Sequence, residues 1–566
     1  MAGLLDTPHD VHRHLAEKHL HVSDHLVLAQ SCCTFRELID EILAKPALSL
    51  GGAVVTDKFL TFLLRRVPEG KLKSLDVTDC EHLTRAGLTR ALRRGHTSNL
   101  TKLTAHKCGG ASWSNDELRR LVSTCPSLRE LHADCRTRGV GANQLQALLS
   151  ERSPILPRRL VLQRESVQDV GDVMTIAGDA SLLPAPPAAM AAPTADEAAV
   201  AAVPPLPSDA SEDELDEAAE ELVASGASAF GEALSRCKST LEELDVRGCD
   251  LDEAGVAQVS RLLKAEGNGL RRLLLPGAGA LAVPARMRLF ALALGRSERL
   301  ELLQLGCSSI NSEGGKAIAT ALHANSSLRQ LELQHNPLLD AGAAALGNAL
   351  GVNRSLQTLA IPFTGLGDTT CFAIARALKK GSSLVSLDLA GNRLTASGVT
   401  ALADALPSSA QLEILVLTAN PIGDKGALSL AAALPAAAAL RSLRLDGCNI
   451  SSSPCGRLAA SLASSHVAEL DLSSNEVGDM GAWELAWRLP ECTSVRELRL
   501  ASNEIEEDGG AELLTAMNAS AHLARLDLRG NRLVETEGVG RALKATGRCN
   551  MAFQLTPRAR GWACTA

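Results

Sequence analysis

The sequence predicts an α/β solenoid, a curved stack of strand–helix units with parallel strands on its concave face and helices on its convex face. One pattern recurs at intervals of 28 residues, with a single interval of 27. Within each copy, apolar residues return three, five and ten positions after the first, and an Asn or a small residue stands eight positions after it. The copies begin at Leu300, Leu328, Leu356, Leu384, Leu412, Leu440, Val467, Val495 and Leu523.

Each copy combines two periodicities. The first part of a copy has the alternation of a short strand, as at Leu384, Leu387 and Leu389. The later part has helical spacing, as at Val399 and Leu402. A single unit cannot bury its apolar face, so neighbouring units must stack. Neighbouring strands lie about 4.8 Å apart and neighbouring helices about 10 Å apart. The stack must therefore bend, with the strands on its inner wall.

The residue eight positions into each copy predicts a buried side-chain ladder at the turn after the strand. An amide there can bond backbone groups that leave the strand. The Asn residues of this slot are Asn336, Asn392, Asn420, Asn475, Asn503 and Asn531. Cysteines stand in the same slot at Cys80, Cys108, Cys249 and Cys448. We interpret these thiols as structural rather than catalytic.

These features resemble the long-repeat leucine-rich family of ribonuclease inhibitor and of the repeat arrays in Nod-like receptors. The resemblance covers most of the chain and implies the solenoid fold. It implies little about function, because the shared motif is a packing motif. The copies with Cys also resemble a subtype found beside F-box segments, but we find no convincing F-box in residues 1–44.

The pattern divides the chain into five predicted segments. We assign residues 1–44 to a helical N-terminal cap and 45–163 to N-terminal repeats. Residues 164–210 form an acidic, Pro/Ala-rich loop that we expect to be disordered, 211–541 form the main repeat array, and 542–566 form a C-terminal cap or tail.

The acidic segment interrupts one copy of the repeat. Between Glu165 and Ser235 the chain has 15 Asp and Glu and no Lys or Arg, and seven prolines fall between Pro184 and Pro207. The strand near Leu160 lacks a helix, and the helix before Leu241 lacks a strand. We therefore interpret the chain as one solenoid with an inserted loop; two arrays joined by a linker is the alternative.

Composition restricts the class of partner. The net charge of −8, the absence of Tyr and only 4 Trp argue against a nucleic-acid binder. No long uncharged apolar run indicates a membrane span, and the first residues lack a secretory pattern. The 15 scattered cysteines are typical of reduced thiols. We expect a cytoplasmic monomer that binds neither nucleic acid nor membrane.

No motif predicts catalysis, a cofactor or a metal site. Gly314, Gly315 and Lys316 lack the spacing and the Ser or Thr of a phosphate-binding loop. Six histidines lie in residues 1–44, and we interpret them as surface residues rather than metal ligands, because no fixed metal-binding motif accompanies them. They are His9, His12, His14, His19, His21 and His25.

The expected function is therefore that of a non-enzymatic scaffold that binds a partner protein on the concave face. The predicted contact residues are Leu274, Leu302, Phe363, Ile414 and Val416, with Arg444 and Arg499 at the rim. Two alternatives stay open. Ran GTPase-activating protein has similar long repeats, although its acidic segment follows the repeats, and a ciliary or cytoskeletal assembly subunit would be a scaffold with a defined location.

Overall fold

The structure of the chain is a computed structural model. It describes residues 47–105 with short gaps, some positions between 124 and 134, residues 159–163, 234 and 238–246, all of 253–533, and 551–552. The predicted N-terminal cap with its histidines, the whole acidic loop and most of the C-terminal tail lie outside these residues. The chain divides into two compact units, the second of which contains residues 282–298 and everything described from 306 onward.

The described part of the first unit contains eight short strands. They are β1 (Ala47–Ser49), β2 (Ser74–Asp76), β3 (Lys102–Ala105), β4 (Glu130–Asp134), β5 (Arg159–Gln163), β6 (Glu243–Asp245), β7 (Arg272–Leu274) and β8 (Leu302–Gln304). Its helices are α1 (Asp57–Arg66), α2 (Arg85–Arg94) and α3 (Glu253–Lys264). Successive strands pair in parallel, and the central leucine of each stands beside that of the next.

The parallel pairing continues across the acidic segment. Leu160 of β5 stands beside Leu244 of β6, although more than 80 residues separate them in sequence. This pairing favours one interrupted repeat over two linked arrays. The limits of the loop itself stay a prediction, since residues 164–233 lie outside the described part of the chain.

The second unit repeats the strand–helix pattern without a break. Its helices are α4 (Pro284–Arg296), α5 (Ser312–Ala324), α6 (Leu339–Leu350), α7 (Asp368–Lys379), α8 (Ala396–Ala403), α9 (Gly423–Ala433), α10 (Cys455–Ala463), α11 (Gly478–Arg488) and α12 (Glu507–Ala519). Its strands are β9 (Gln330–Glu332), β10 (Thr358–Ala360), β11 (Ser386–Asp388), β12 (Ile414–Val416), β13 (Ser442–Arg444), β14 (Glu469–Asp471), β15 (Glu497–Arg499), β16 (Arg525–Asp527) and β17 (Met551–Ala552).

The strands of this unit form one parallel layer, and the helices form the other. Pairing follows sequence order from β9 to β17, and β17 is an additional strand within the segment predicted as cap or tail. All nine leucines and valines that begin the predicted copies are buried. The α/β solenoid prediction is therefore confirmed.

The buried amide ladder predicted at the turns is also confirmed. The Oδ1 atom of Asn420 accepts a hydrogen bond from the Leu394 backbone N–H at 3.1 Å in the preceding repeat. Its Nδ2 atom donates to the Leu389 and Leu417 carbonyls at 3.0 and 2.9 Å. Asn336, Asn392, Asn475, Asn503 and Asn531 bridge neighbouring repeats in the same way.

Cysteine fills the same slot and also places its side chain within bonding distance of a backbone carbonyl. The Cys448 thiol lies 3.3 Å from the Leu417 carbonyl oxygen, and the Cys80 thiol lies 3.2 Å from that of Leu50. Both side chains are buried. The structural interpretation of these two cysteines is confirmed, whereas Cys108 and Cys249 lie outside the described residues.

A second connection between repeats lies at the helix N-termini. An aspartate in the first turn of one helix accepts a hydrogen bond from the backbone N–H of the residue 27 positions later, at 2.7 to 2.8 Å. The five aspartates are Asp57, Asp340, Asp368, Asp424 and Asp479. Each occupies a helix N-terminus, where a carboxylate is favourable, while holding the start of the next helix.

Glycines permit the close packing of the helix layer. A Cβ atom on Gly315 would lie 2.9 Å from the Gly342 Cα atom of the next helix, which is closer than carbon atoms approach without displacement. A Cβ atom on Gly314 would lie 2.5 Å from Ile310. These glycines are therefore packing residues at the start of α5, which agrees with the rejection of a phosphate-binding loop there.

Candidate interaction surface

The outward side chains of strands β9 to β16 form one continuous surface of the second unit, which we call the strand face. Two rows of side chains run across it from strand to strand. The first passes through Ser386, Ile414 and Ser442, which stand side by side. The second passes through Asp388, Val416 and Arg444, again as direct neighbours. Parallel pairing in register thus places one side chain from each repeat in every row.

The centre of the strand face is partly apolar. Ile414 and Val416 are only half buried, although the leucine between them, Leu415, is completely buried. Their neighbours in the two rows are short or charged side chains. Two half-exposed β-branched residues on an open face are favourable contacts for an incoming apolar side chain.

An aromatic pair follows the C-terminal ends of strands β9 and β10. The rings of His335 and Phe363 stack with centroids 4.8 Å apart and an angle of 3° between their planes. Both residues have left-handed backbone angles, with φ of 56° and 55°. The Phe363 ring extends over Gly391, where a Cβ atom would lie 2.2 Å from it. Only a glycine at that turn leaves room for the ring.

Sequence reasoning missed His335, although a signal for it was present. His335 and Phe363 are 28 residues apart, so they hold equivalent positions in successive repeats. Equivalent positions of stacked repeats lie side by side. The His335 side chain is exposed, but its ring is partly shielded from water, and this partial burial lowers the pKa of the imidazole.

Two of the predicted contact residues are almost completely buried. Leu274 and Leu302 belong to the first unit and are only 7% and 8% exposed. Alternation along a strand predicts that both point away from the core, but each is packed among neighbouring atoms. Neither residue therefore presents an exposed apolar surface, and contact of either residue with a partner stays a prediction.

The two rim arginines differ in their surroundings. Arg499 forms ion pairs with Glu497 of its own strand β15 at 2.6 Å and with Asp471 of the neighbouring strand β14 at 3.3 Å. Arg444 is exposed, and it lies near enough to Asp388 and Asp446 to oppose the burial that raises the pKa of both carboxyls. The guanidinium of Arg444 is therefore more available to a partner than that of Arg499.

Two carboxyl groups on the strand face are disfavoured in their ionised form, because their pKa values are raised. Burial raises the pKa of Asp388, and the nearby Glu332 raises it further, although Ala390 and Arg444 oppose the shift. Burial also raises the pKa of Asp446, and Asp471 adds to the effect. At neutral pH the face thus holds negative charges that a cation from a partner would stabilise.

We expect Asp388→Asn to stabilise the protein at pH 7 and to have no such effect at low pH. A raised folded-state pKa means that stability falls as pH rises from the ordinary value of 3.8 through the folded value. Asparagine does not ionise, so the fall in stability with rising pH is removed. Its side-chain oxygen can still accept the hydrogen bond from the Ala390 N–H, which measures 2.9 Å in the native protein. Urea unfolding of both proteins at a series of pH values from about 3 to about 8 would measure the difference in their free energies of unfolding.

Asp527→Asn is the matched control, with the opposite sign expected. Burial raises the pKa of Asp527, but hydrogen bonds from Arg529 outweigh burial and lower it overall. Its ionised form therefore adds stability above the ordinary carboxyl pKa, and that stability is lost as pH falls through the folded value. A gain in stability at pH 7 from Asp527→Asn, or a loss from Asp388→Asn, would contradict this assignment.

The buried thiols are poor nucleophiles. Burial raises the pKa of Cys125, Cys371, Cys448 and Cys455 to about 12, and that of Cys492 to about 11. A thiol reacts as its thiolate, so these groups are suited to packing rather than to catalysis. Within the described residues, no cluster of His, Cys, Asp and Glu could hold a metal ion, and no helix is long and apolar enough to cross a membrane.

Comparison with known proteins identifies the repeats. The family model described as "Leucine Rich repeat" matches six segments, at residues 237–259, 324–347, 382–403, 409–431, 463–486 and 491–514. No curated protein matches the sequence. Among solved structures, the chain is similar to one entitled "Crystal structure of Rad7 and Elc1 complex in yeast", with 16% identity, a TM-score of 0.37, and coverage of 88% of this chain and 83% of that chain.

The matched segments coincide with the strand–helix units of the structure. The segment 382–403, for instance, contains β11 and α8. Stacked leucine-rich repeats generally present extended curved surfaces to other proteins. The chain therefore contains leucine-rich repeats, and the matched repeats are strand–helix units of the second unit and of the end of the first.

Proposed function

We propose that the protein is a non-enzymatic scaffold that binds a partner protein on the strand face of its second unit. The observation that carries the proposal is the group of half-buried apolar side chains at Phe363, Ile414 and Val416, bordered by incompletely neutralised charges. Interfaces commonly combine an apolar centre with a polar rim. The exposed Arg444 and the carboxylates of Asp388 and Asp446 supply such a rim.

The chemistry of the face suggests what the partner contributes. An apolar or aromatic side chain would fit against Ile414 and Val416 or extend the His335–Phe363 stack. A lysine or arginine beside it would reduce the cost of the Asp388 and Asp446 carboxylates. We propose a cytoplasmic setting, which the buried reduced thiols support, and a monomeric scaffold without cofactor.

We expect Phe363→Asp and Val416→Asp each to weaken partner binding by about ten-fold or more, because both place a charge in the apolar centre. The partner would first be isolated with the native protein from its cells, and the affinity of purified variants would then be measured. Circular dichroism would show that the fold is retained.

Ser474→Asp is the control for added charge. Ser474 is exposed on a turn with φ of 55°, and aspartate tolerates that conformation. It should leave binding unchanged. Equal affinity of the native protein, Phe363→Asp and Val416→Asp would contradict the proposed surface, and stimulated GTP hydrolysis by a small GTPase would favour a catalytic regulator instead.

A further inference from the structure

The outer surface of helix α11 carries an apolar cluster that the strand face does not explain. Met480, Trp483 and Trp487 are 67%, 47% and 65% exposed. They follow one another at helical spacing, so they lie on one side of the helix. The two indole rings stack with centroids 5.9 Å apart. We call these three residues the tryptophan face; it holds two of the four tryptophans in the chain.

The opposite side of α11 has no room for these side chains. Gly481, Ala482, Leu485 and Ala486 are buried against the neighbouring repeats. A Cβ atom on Gly481 would lie 2.9 Å from the Cys455 sulfur, and one on Gly509 would lie 3.0 Å from the Ala482 Cβ atom. The helix is thus closely packed on both sides, so the tryptophans cannot turn into the core.

The size of the tryptophan face fits a single helix better than a second copy of the chain. Two tryptophans and a methionine at these exposures present on the order of 400 Å² of apolar surface. A stable dimer requires about 800 Å² from each partner. A single amphipathic helix inserts a few apolar side chains at a spacing of three and four residues, and its apolar stripe matches the length of the cluster.

The charges beside the tryptophan face define the chemistry of that helix. Asp508 and Glu512 are exposed on the neighbouring helix α12, four residues apart and therefore on one side of it. Neither forms an ion pair within the described part of the chain. Glu484 of α11 adds a third carboxylate, which extends over Gly456 of α10. An anionic lipid surface or nucleic acid would be repelled here, whereas lysine or arginine would be attracted.

We propose that the tryptophan face binds a cationic amphipathic helix of another protein. The apolar stripe of the helix contacts Met480, Trp483 and Trp487, and Lys or Arg residues along one flank pair with Asp508 and Glu512. This site lies in the helix layer, so it is separate from the strand face. One scaffold could then hold two partners without competition between them.

Two synthetic peptides of about 18 residues, which form about five helical turns, provide the test. Both have the same leucine stripe, and their polar positions are all Lys in one and all Glu in the other. Each carries one photoreactive residue in the stripe. The full-length protein should bind the Lys peptide about ten-fold or more tightly than the Glu peptide, and cross-links should map to α11.

Variants then separate the apolar contribution from the charge. W483S/W487S should weaken binding of the Lys peptide by about ten-fold or more, and D508K/E512K should remove the preference for Lys over Glu. Phe372→Ser is the matched control, because Phe372 is an equally exposed aromatic residue on α7. It should leave binding unchanged, as should Phe363→Asp on the strand face.

Several results would overturn the proposal. These are equal binding of the two peptides, cross-links that map away from α11, and undiminished binding by W483S/W487S. Concentration-dependent self-association that W483S/W487S abolishes would assign the face to a second copy of the chain. A cross-link from α11 to residues 553–566 of the same molecule would assign it to the chain's own C-terminus, and tryptophan-dependent binding to anionic vesicles would assign it to a membrane.

Discussion

Replacing Asn420 with alanine is expected to lower the free energy of unfolding by about 3 kcal/mol. The substitution removes the acceptor for the Leu394 N–H and one donor to the Leu417 carbonyl, both inside the core. The Leu389 and Thr418 carbonyls are less affected, because they also accept hydrogen bonds from Asn392 and Gly391. Most of the cost therefore comes from one buried amide left without a partner. Urea unfolding followed by circular dichroism would measure it.

Asn420→Cys is the informative comparison. The chain itself has cysteine in this slot at Cys448, whose thiol lies within bonding distance of Leu417 O. A thiol at position 420 can donate to a neighbouring carbonyl but is a weak acceptor for the Leu394 N–H. Asn420→Cys should therefore be less stable than the native protein but more stable than Asn420→Ala. If Asn420→Ala unfolds at the native urea concentration, the ladder does not stabilise the fold as argued.

Gly315→Ala should destabilise the protein by about 2 kcal/mol, despite the higher helix propensity of alanine. The added methyl would lie 2.9 Å from the Gly342 Cα atom and 3.2 Å from Leu338 Cδ2. Because the closest atom is backbone, relief requires helices α5 and α6 to separate. The loss of close packing between two repeats then exceeds the gain in helix propensity. Thermal and urea unfolding would both report the change.

Gly295→Ala is the same substitution where there is room for it. A methyl there would lie 3.5 Å from the nearest atoms, Ala321 Cα and O, which is an ordinary contact. Gly295 also lies within helix α4, so alanine should stabilise the protein by about 0.5–1 kcal/mol. If the two variants changed stability in the same direction, helix propensity rather than close approach would govern both positions.

The fold could be predicted well from the sequence because the same pattern of apolar and amide positions recurs in every repeat. Leu384, Leu387 and Leu389 alone could start any buried strand, but equivalents at a fixed spacing require equivalent surroundings. Asn420 illustrates the same logic, because an amide recurring at one turn predicts a ladder before any contact is known. Cys448 could be interpreted as structural only because it occupies that slot.

The candidate sites were less predictable, since exposure depends on neighbours that the pattern does not specify. Alternation assigns Leu274 and Val416 to equivalent strand positions, yet Leu274 is buried and Val416 is half exposed. Arg444 and Arg499 are likewise equivalent in sequence, but within the described residues Arg499 forms ion pairs, one of them with Asp471 of the neighbouring strand, whereas Arg444 forms none. Such differences arise from which side chains the adjacent repeats supply.

The sequence by itself determined the solenoid, its repeat length and its buried ladder, because these follow from periodicity and from the need to bury apolar faces between neighbours. Only the tertiary structure decided which outward residues meet. It placed His335 against Phe363 and left Trp483 and Trp487 exposed outside a closely packed helix. The physical reason is that the core of a repeat is fixed by what every copy shares, whereas its surface is fixed by what each copy and its two neighbours do differently.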